Sequence, residues 1–313
     1  MDTVAAEIVH VPVMVDEVLD LLITSRSGLY IDGTIGMGGH TAGLLTRLGP
    51  NGRVLGIDLD PGILSFTKER LFADGNQVIL RHGSFAQMPL FLQELGIIQC
   101  QGILLDLGLS SYDLESSGRG FSFQSDESLD MRFDPEHGQP LFHVLPHLSL
   151  DALENIIAKY GEERHARTIA KAIFLEARSN GIESSAHLAD TVRKTIRGPL
   201  VTKCLARVFQ AFRIFINDEL NSLQTALERI STLLETGRRA VVISYHSLED
   251  RLVKHFFLRE SKECICPPHL PQCICGHTAL FKILTPKPIV PTVEEQISNP
   301  RCRSAKLRAV ERL

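Results

Sequence analysis

The sequence predicts an α/β fold with a mostly parallel sheet, and three observations support this prediction. Short apolar runs alternate with segments of helical period through the first third of the chain. Three of these runs end in an acid, at Asp32, Asp58 and Asp106. Four glycines lie between positions 33 and 39, directly after the first run. Because such sheets bind ligands at the carboxyl ends of their strands, the three acids mark the expected site.

A glycine-rich turn connects the first predicted strand, residues 30–32, to a helix predicted over residues 41–48. The turn residues that we expect to contact a ligand are Gly36, Gly38, Gly39 and the adjoining His40. Glycines leave backbone N–H groups bare, and the helix N-terminus adds further donors. Strand, turn and helix in this order therefore predict a cofactor loop.

The second predicted strand, residues 53–58, ends at Asp58, where a carboxylate can accept hydrogen bonds from both ribose hydroxyls. The dinucleotide pattern Gly-x-Gly-x-x-Gly is not met, because Gly36 and Gly38 are followed directly by Gly39. Asp32 would repel a pyrophosphate but could pair with an ammonium group. The loop therefore fits S-adenosylmethionine, which has an ammonium and no phosphate, better than it fits NAD.

The other elements follow from hydrophobic periodicity. Helices are predicted over residues 11–22, 61–71, 150–160, 162–179, 184–197, 207–234 and 248–258. Strands are predicted over residues 77–80, 102–106 and 239–246, with a final antiparallel pair over 280–290 and 305–311. Together with the first two strands these make a seven-stranded sheet.

Residues 139–205 show helical periods and no strand pattern, which predicts an inserted helical domain. The α/β domain is then discontinuous and comprises residues 1–138 and 206–313. The chain has a net charge of −4, yet residues 159–213 hold 11 Lys and Arg against 5 Asp and Glu. Basic residues concentrated in one segment are typical of a surface that binds a polyanion. A solvated helix face without a partner is the alternative.

The composition argues against a membrane protein and against a disulfide framework. Hydrophobic residues make up 44% and charged residues 22% of the chain, as in globular proteins. No apolar run approaches the ~18 residues that span a bilayer. Residues 1–7 are acidic and lack a secretory pattern, so we expect a cytoplasmic protein. Seven cysteines, an odd number, argue against paired disulfides.

Polar segments after Asp106 interleave arginine with aromatic residues. Arg119, Phe121 and Phe123 lie in the first segment and Arg132 in the second. Arginine beside aromatic rings suits the stacking of an unpaired base. A loop fastened to the core by its aromatics is the alternative. Phe85, after the third strand, has the same two interpretations, as a contact to adenine or as a core aromatic.

Two constellations lie nearer the C-terminus. Ser247 and Asp250 have the spacing of a helix N-cap and its N3 acid, and His246 before them is a candidate RNA contact. The second constellation consists of Cys264, Cys266, Cys273 and Cys275. Four thiolates can close a tetrahedral zinc site, although paired zinc ligands usually have two or more residues between them rather than one. Free thiols in a tight loop are the alternative.

These segments, in this order, resemble the small-subunit ribosomal RNA methyltransferase H family. The motifs span nearly the whole chain: Tyr30-Ile-Asp-Gly-Thr34, Gly38-Gly-His40, Gly56-Ile-Asp58, Gly102-Ile-Leu-Leu-Asp-Leu-Gly108, Ser110-Ser111, Arg119-Gly-Phe-Ser-Phe123, Leu129-Asp-Met-Arg132, Tyr160-Gly-Glu-Glu-Arg164, Phe209-Gln-Ala-Phe-Arg213, Ser244-Tyr-His-Ser-Leu-Glu-Asp-Arg251 and Asn299-Pro-Arg301. The resemblance implies a class I S-adenosylmethionine-dependent methyltransferase fold, Rossmann-like, with an inserted all-helical domain. It implies methyl transfer to the N4 amine of a decoding-region cytidine in 16S rRNA. The implied partner is that RNA or the assembled small subunit, and a homodimer is the other association considered.

The resemblance also implies roles for residues. Cofactor contacts fall on Gly38, Gly39, His40, Asp58, Phe85 and Asp106. A further cofactor position, usually glutamine in the family, is Asp113, and a carboxylate cannot donate the hydrogen bonds of an amide. The paired cysteines are absent from some members, which favours a structural rather than a catalytic role.

The implied chemistry needs an acceptor for one N–H of the N4 amine, because the nitrogen lone pair is delocalised into the ring. We expect that acceptor in the turn after the fourth strand, with Asp106, Ser110 and Ser111 as candidates. Positioning of the reactants can contribute on the order of 7–11 kcal/mol. The cytidine must be unstacked at a cost of a few kcal/mol, and Arg119, Phe121 and Phe123 are expected to hold it.

Three other functions were weighed against this one. An NAD-dependent oxidoreductase would need the third loop glycine and a site for hydride transfer, and neither is evident. A non-enzymatic RNA-binding scaffold would not need acids at all three strand ends. An N4-cytosine methyltransferase acting on another nucleic acid usually carries a Pro-Pro-Tyr turn after the fourth strand, where this chain has Leu107-Gly-Leu109.

Overall fold

The computed structural model describes residues 12–71, 77–110, 112, 114, 117–196, 198–267 and 272–313. The chain forms two compact units, one made of Met1–Gly108 with Asn221–Leu313 and the other of Leu109–Leu220. The first is the α/β unit and contains the whole sheet, whereas the second is helical. The limits predicted at residues 139 and 205 fall inside the helical unit, because residues 117–138 pack their aromatics onto its helices.

Seven strands form one sheet in the order β3-β2-β1-β4-β5-β7-β6. They are β1 (Gly28–Asp32), β2 (Gly52–Asp58), β3 (Val78–His82), β4 (Cys100–Asp106), β5 (Leu234–Ser244), β6 (Phe281–Ile283) and β7 (Lys306–Arg312). Strands β1 to β5 are parallel, and β7 runs antiparallel to both β5 and β6. The mostly parallel seven-stranded sheet of a class I methyltransferase is thereby confirmed.

The order of strands reverses between β1 and β4, which are neighbours in the sheet but not in the chain. At such a reversal the two connections leave in opposite directions and open a crevice at the carboxyl ends. The segments that follow β1 and β4 therefore border the expected ligand site.

The helices, in chain order, are α1 (Val15–Leu22), α2 (Gly39–Arg47), α3 (Pro61–Leu71), α4 (Met88–Glu94), α5 (Leu150–Gly161), α6 (Ala166–Ser179), α7 (Ser185–Thr195), α8 (Val201–Asn217), α9 (Glu219–Leu233), α10 (Ser247–Glu260) and α11 (Val293–Ser298). Short helical turns lie at Phe85–Gln87, Leu141–Val144, Leu145–His147 and Pro300–Ser304. Within the described ranges, no helix is both long enough and apolar enough to cross a bilayer.

The central strands are buried on both faces of the sheet, which explains their uninterrupted apolar sequences. Tyr30 and Leu104 point to the face that is covered by α1 and α2. Their neighbours Ile31 and Ile103 point to the opposite face, where α9 packs. Complete burial of such an aliphatic side chain contributes about 1.5–3 kcal/mol. Truncation of Ile103 to alanine would cost about 2–5 kcal/mol because a cavity remains.

The helix predicted over residues 207–234 is two helices, so this prediction was wrong. Asp218 adopts a left-handed conformation, with φ of 49°, and ends α8. Across the break, Arg213 Nε and Nη2 donate to the two carboxylate oxygens of Glu219 at 2.8 and 3.0 Å. Hydrophobic periodicity alone did not show a break made by one residue.

The structure also differs from the predictions in the start of β5, in the strand predicted over 280–290, of which only Phe281–Ile283 is β6, and in two short helices. Strand β5 begins at Leu234 rather than at residue 239, and Gly237 within it has φ of 76°. The register against β4 shifts between Cys100 and Gly102, which accommodates this irregular part of β5. Helices α4 and α11 were not predicted, because seven and six residues are too few to show a helical period.

Candidate active site

Three hydrogen bonds fix the glycine turn after β1, residues 33–38, to the neighbouring strands. Gly33 N donates to the Leu104 carbonyl and Ile35 N to the Ile57 carbonyl, each at 2.9 Å. The Thr34 hydroxyl accepts a hydrogen bond from Asp106 N at 2.7 Å. The turn therefore has fixed positions relative to the carboxyl ends of β2 and β4. Thr34 was not identified from the sequence.

Gly36 connects this turn to the acid at the end of β2. Its φ of 50° lies in the left-handed region, which glycine adopts without steric cost. In this conformation Gly36 N donates to Asp58 Oδ2 at 2.9 Å. Asp58 Oδ1 accepts a second hydrogen bond, from Asp60 N at 3.0 Å. Each carboxylate oxygen carries two lone pairs, so these two amides alone do not use all the acceptor positions of Asp58.

Gly38 and Gly39 are required by the packing of the turn on its surroundings. Gly38 has φ of 79°, and a Cβ there would lie 3.0 Å from both Thr67 Cγ2 and Leu71 Cδ1 of α3. A Cβ on Gly39 would lie 2.9 Å from the ring of Pro12. These two glycines let α2 begin directly after the turn, so that its unpaired N-terminal amides adjoin the crevice.

Asp32 is fully buried beneath the turn, with 1% of its surface exposed. The Thr41 hydroxyl donates to Asp32 Oδ2 at 2.7 Å, and Thr34 N donates to Oδ1 at 3.4 Å. Burial raises the pKa of Asp32, and the neighbouring His40 and these donors only partly oppose the rise. Asp32 thus ties β1 to the first turn of α2. It offers no exposed carboxylate for the ammonium pairing that the sequence suggested.

His40 and Asp106 form a buried pair, with His40 Nε2 lying 3.4 Å from Asp106 Oδ2. Burial by itself would lower the pKa of His40, but the carboxylate of Asp106, with Asp32 and Glu295 adding to it, raises the pKa above 6.5. The protein therefore favours the imidazolium form of His40 beside the Asp106 carboxylate.

One oxygen of this pair lacks a partner. Asp106 Oδ1 is buried and has no donor at full hydrogen-bond distance among the described residues, although the Tyr245 hydroxyl interacts with the same carboxylate. A buried acceptor left unpaired costs about 1–3 kcal/mol. The cost disappears when a ligand donates to it, so Oδ1 marks the position where a substrate N–H is expected.

Tyr245 lies beside Asp106, and its role could not be predicted from the sequence. A Cβ on Gly108 would lie 2.8 Å from Cε2 of the Tyr245 ring, so the turn after β4 lies directly against that ring. Burial and the charge of Asp106 raise the pKa of Tyr245 well above 10. Its hydroxyl therefore stays protonated and remains a donor. The only sequence signal was its position directly after β5.

Phe85 begins the helical turn Phe85–Gln87, which Ser84 caps. Its Cβ lies 3.0 Å from the position that a Cβ on Gly33 would occupy, so it borders the glycine turn. Its ring also packs, partly buried, against the core of the sheet. Phe85 is therefore partly a core aromatic and also lies beside the glycine turn, where adenine is expected. The adenine contact itself stays a prediction.

His246, and not Ser247, is the N-cap of α10, which corrects the predicted cap by one residue. The backbone is still extended at His246, and Ser247 is already helical. His246 Nδ1 accepts a hydrogen bond from Glu249 N at 3.4 Å. Glu249 Oε2 accepts in return from Tyr245 N at 2.9 Å. An imidazole nitrogen here replaces the side-chain oxygen that usually caps a helix. An RNA contact by His246 stays a prediction.

Arg119 and Phe121 lie inside the helical unit. Arg119 Nη1 donates to the carbonyls of Arg132 and Phe133 at 3.0 and 2.7 Å. The guanidinium carbon lies 5.6 Å from the centre of the Phe121 ring. Phe121 is 6% exposed and stacks on Phe133, with ring centres 5.3 Å apart. The arginine therefore fastens the segment, and a base could reach Phe121 only if this segment opened.

The other predicted RNA contacts are likewise engaged within the helical unit. Phe123 packs edge-to-face on Phe209 of α8, with ring centres 5.6 Å apart. Arg132 forms a two-point ion pair with Asp130, at 2.6 and 2.9 Å. In this structure the residues hold their segment on the core of the helical unit, which was the alternative to base stacking. Their contact with RNA stays a prediction.

Of the other candidates, Ser110 is half-buried in the helical unit, and its carbonyl accepts a hydrogen bond from Leu114 N at 3.4 Å. Ser111 and Asp113 lie outside the described residues.

The four clustered cysteines lie in the segment between α10 and β6. Their sulfur atoms all lie within 4.8 Å of one another. Cys100, Cys204 and Cys302 are buried elsewhere in the fold.

Comparison with known proteins shows the family to which the chain belongs. Residues 7–313 match the sequence profile of the MraW methylase family. The ribosomal RNA small subunit methyltransferase H of Syntrophotalea carbinolica is 44% identical over 307 residues, 97% of this chain and 98% of that protein. The protein of the same name from Heliobacterium modesticaldum is 40% identical over 308 residues, again 97% and 98%. The crystal structure of an rRNA methylase from Streptococcus thermophilus aligns with a TM-score of 0.41 at 13% identity, over 96% of this chain and 93% of that one. The chain therefore belongs to the MraW methylase family.

Proposed function

We propose that this protein transfers a methyl group from S-adenosylmethionine to the N4 amine of a cytidine in 16S rRNA of the small ribosomal subunit. The main support is the pair of acids at the carboxyl ends of β2 and β4. Asp58 is hydrogen-bonded to the glycine turn, and Asp106 is paired with His40. The names of the relatives support small-subunit rRNA as the substrate.

The residues present fit S-adenosylmethionine. Asp58 can accept from the ribose hydroxyls, and the amides at the start of α2 can donate to the carboxylate of the cofactor. Phe85 beside the glycine turn is the candidate for contact with the adenine ring. When bound, the cofactor supplies an electrophilic methyl group on a positively charged sulfur.

Asp106 is the group that we expect to accept a hydrogen bond from the N4 amine. Its Oδ1 lacks a donor among the described residues, while Oδ2 faces His40 Nε2 at 3.4 Å. The His40 ring faces one oxygen of the carboxylate, and the other oxygen, Oδ1, accepts the hydrogen bond from the amine N–H. This hydrogen bond returns electron density to the nitrogen, which becomes a better nucleophile. As the methyl group is added, one proton leaves the nitrogen and passes to solvent.

One segment of the helical unit, residues 159–213, supplies the basic surface expected of an RNA-binding element. Its exposed Lys and Arg side chains in the described part of residues 159–213 are Lys159, Arg164, Arg167, Lys171, Arg178, Arg193, Lys194, Lys203 and Arg207. The exposed acids in the same stretch are fewer, namely Glu162, Glu183 and Asp190. An excess of exposed cations favours contact with RNA phosphates, which makes binding dependent on salt.

The proposed reaction requires neither a metal ion nor a second copy of the chain. A metal at the four cysteines would be structural, because attack of an amine on a sulfonium methyl group needs no Lewis acid. The homodimer stays a prediction.

The direct test is nucleoside mass spectrometry of ribosomal RNA from a strain that lacks this protein. We expect N4-methylated cytidine to decrease in the small-subunit RNA and to return when the wild-type protein is supplied. The Asp106→Asn variant should not restore it. Unchanged N4 methylation in that RNA, or a loss confined to another nucleic acid, would exclude the proposed substrate.

A further inference from the structure

We propose that Cys264, Cys266, Cys273 and Cys275 bind one zinc ion, which acts as the core of the loop between α10 and β6. This inference concerns a part of the chain that methyl transfer does not use, and it stands or falls independently of the proposed reaction.

The positions of the sulfur atoms carry the proposal. Cys264 Sγ lies 3.4 Å from Cys273 Sγ and 3.8 Å from Cys275 Sγ, and the latter two lie 3.6 Å apart. All four sulfur atoms, including that of Cys266, lie within 4.8 Å of one another. A zinc ion with four bonds of about 2.3 Å places its sulfur ligands about 3.8 Å apart at the corners of a tetrahedron. The three separations among Cys264, Cys273 and Cys275 are close to this value, and Cys266 is near enough to be the fourth ligand.

The backbone also has the arrangement that thiolate ligands need. Cys266 N donates to Cys264 Sγ and Ile274 N donates to Cys266 Sγ, each at 3.4 Å. Such N–H donors offset the negative charge of metal-bound sulfur. The single residue between paired cysteines is compatible with this geometry, because side chains two residues apart lie on the same side of an extended chain.

The described part of this loop has no hydrophobic core of its own. None of its described residues, 261–267 and 272–279, is buried. Its base is closed by a hydrogen bond from Leu280 N to the Glu260 carbonyl at 2.8 Å. Loops of more than about 12–15 residues without secondary structure are uncommon in compact domains. A metal ion bound to four points of this loop would supply the cross-link that its side chains do not.

The chemistry of the ligands favours a single zinc ion over other occupants. The sulfur atoms are much farther apart than the ~2.05 Å of a disulfide bond. They are too close together to enclose an iron–sulfur cluster, which places several iron and sulfide atoms among its ligands. Binding converts four thiols to thiolates, releases four protons to solvent and leaves a site with a net charge of −2.

Elemental analysis of the full chain, purified under reducing conditions without chelator, tests the proposal. We expect one zinc per chain in the wild-type protein and a loss of that zinc in Cys264→Ser. Ile274→Ala is the matched control, since its side chain lies in the same loop, is 79% exposed and is no ligand. That variant should keep its zinc.

A second measurement covers the case in which Cys264→Ser does not fold. Titration of the native wild-type chain with a mercurial reagent should release one zinc as four thiols react, because Cys100, Cys204 and Cys302 are buried. Hydrogen exchange should then rise in residues 261–279 and stay unchanged in β1 and β4. Reduced protein that retains no zinc after incubation with zinc and dialysis, or a folded Cys264→Ser variant with undiminished zinc, would overturn the proposal.

Discussion

At the residue scale, the charge of His40 depends on its neighbours. Its ring is buried, with 6% of the residue exposed, yet Asp106 at 3.4 Å raises its pKa above 6.5. Tyr245 beside the same carboxylate is held neutral. Asp106 therefore lies between a cation and a neutral donor, with Oδ1 left for the substrate.

Asp106→Asn tests that assignment. The amide keeps the size of the side chain but removes the charge that accepts from the amine, so we expect methyl transfer to fall by about 10²–10³-fold. Transfer of labelled methyl from S-adenosylmethionine to small-subunit RNA measures the effect. Asp20→Asn, at an exposed acid that pairs with Arg47, is the control and should retain activity. Near-normal transfer by Asp106→Asn would remove this residue from the mechanism.

The raised pKa of His40 predicts a dependence of stability on pH. Because the folded-state pKa lies above the ordinary value of 6.5, the imidazolium contributes stability that is complete below pH 6.5. This contribution is lost as the pH rises through the folded-state pKa. Urea unfolding of the wild type and of His40→Asn at a series of pH values should show this fall only in the wild type.

The Asp106→Asn variant is the matched control for this pH dependence. It removes the charge that raises the pKa of His40, so the fall should move to lower pH or vanish. A stability difference between wild type and His40→Asn that rises with pH would contradict the sign of the shift.

At the scale of elements, helices and strands could be predicted from the sequence where the local residue pattern determines them. Strands β1, β2 and β4 could be recognised as apolar runs, and their terminal acids could be placed together because carboxyl ends of parallel strands share one edge. The break at Asp218 could not be recognised, since the hydrophobic period does not register one left-handed residue. The burial of Phe121 and Phe123 could not either, because it depends on partners distant in sequence, such as Phe209.

Gly38→Ala tests the contact between the glycine turn and α3. The alanine would have to adopt a left-handed backbone conformation, and its Cβ would lie only 3.0 Å from Thr67 and Leu71. The turn must therefore shift. We expect weaker binding of S-adenosylmethionine, measured by calorimetry. Gly96→Ala is the control, because Gly96 has φ of 67° but nothing within 4 Å of its new Cβ. That variant should lose about 1 kcal/mol of stability and keep its affinity. Equal affinity in both variants would show that the turn does not shape the site.

At the scale of the whole molecule, the two compact units differ in fold and carry different groups for the proposed reaction. The α/β unit carries the acids at its strand ends, while one segment of the helical unit, residues 159–213, holds 11 Lys and Arg against 5 Asp and Glu. The net charge of −4 does not show this local excess of basic residues. We propose a division of labour in which the α/β unit binds the methyl donor and this basic segment contributes cations for RNA.

The central claim is that S-adenosylmethionine binds at the carboxyl edge of the parallel sheet with Asp58 on its ribose. Isothermal titration calorimetry with S-adenosylmethionine and with its demethylated product tests it most directly. We predict one equivalent bound by the wild type and an affinity at least about tenfold lower in Asp58→Asn, since a charged hydrogen bond contributes about 1.5–3 kcal/mol. Absence of binding of either compound to folded wild-type protein, with or without small-subunit RNA, would contradict the account.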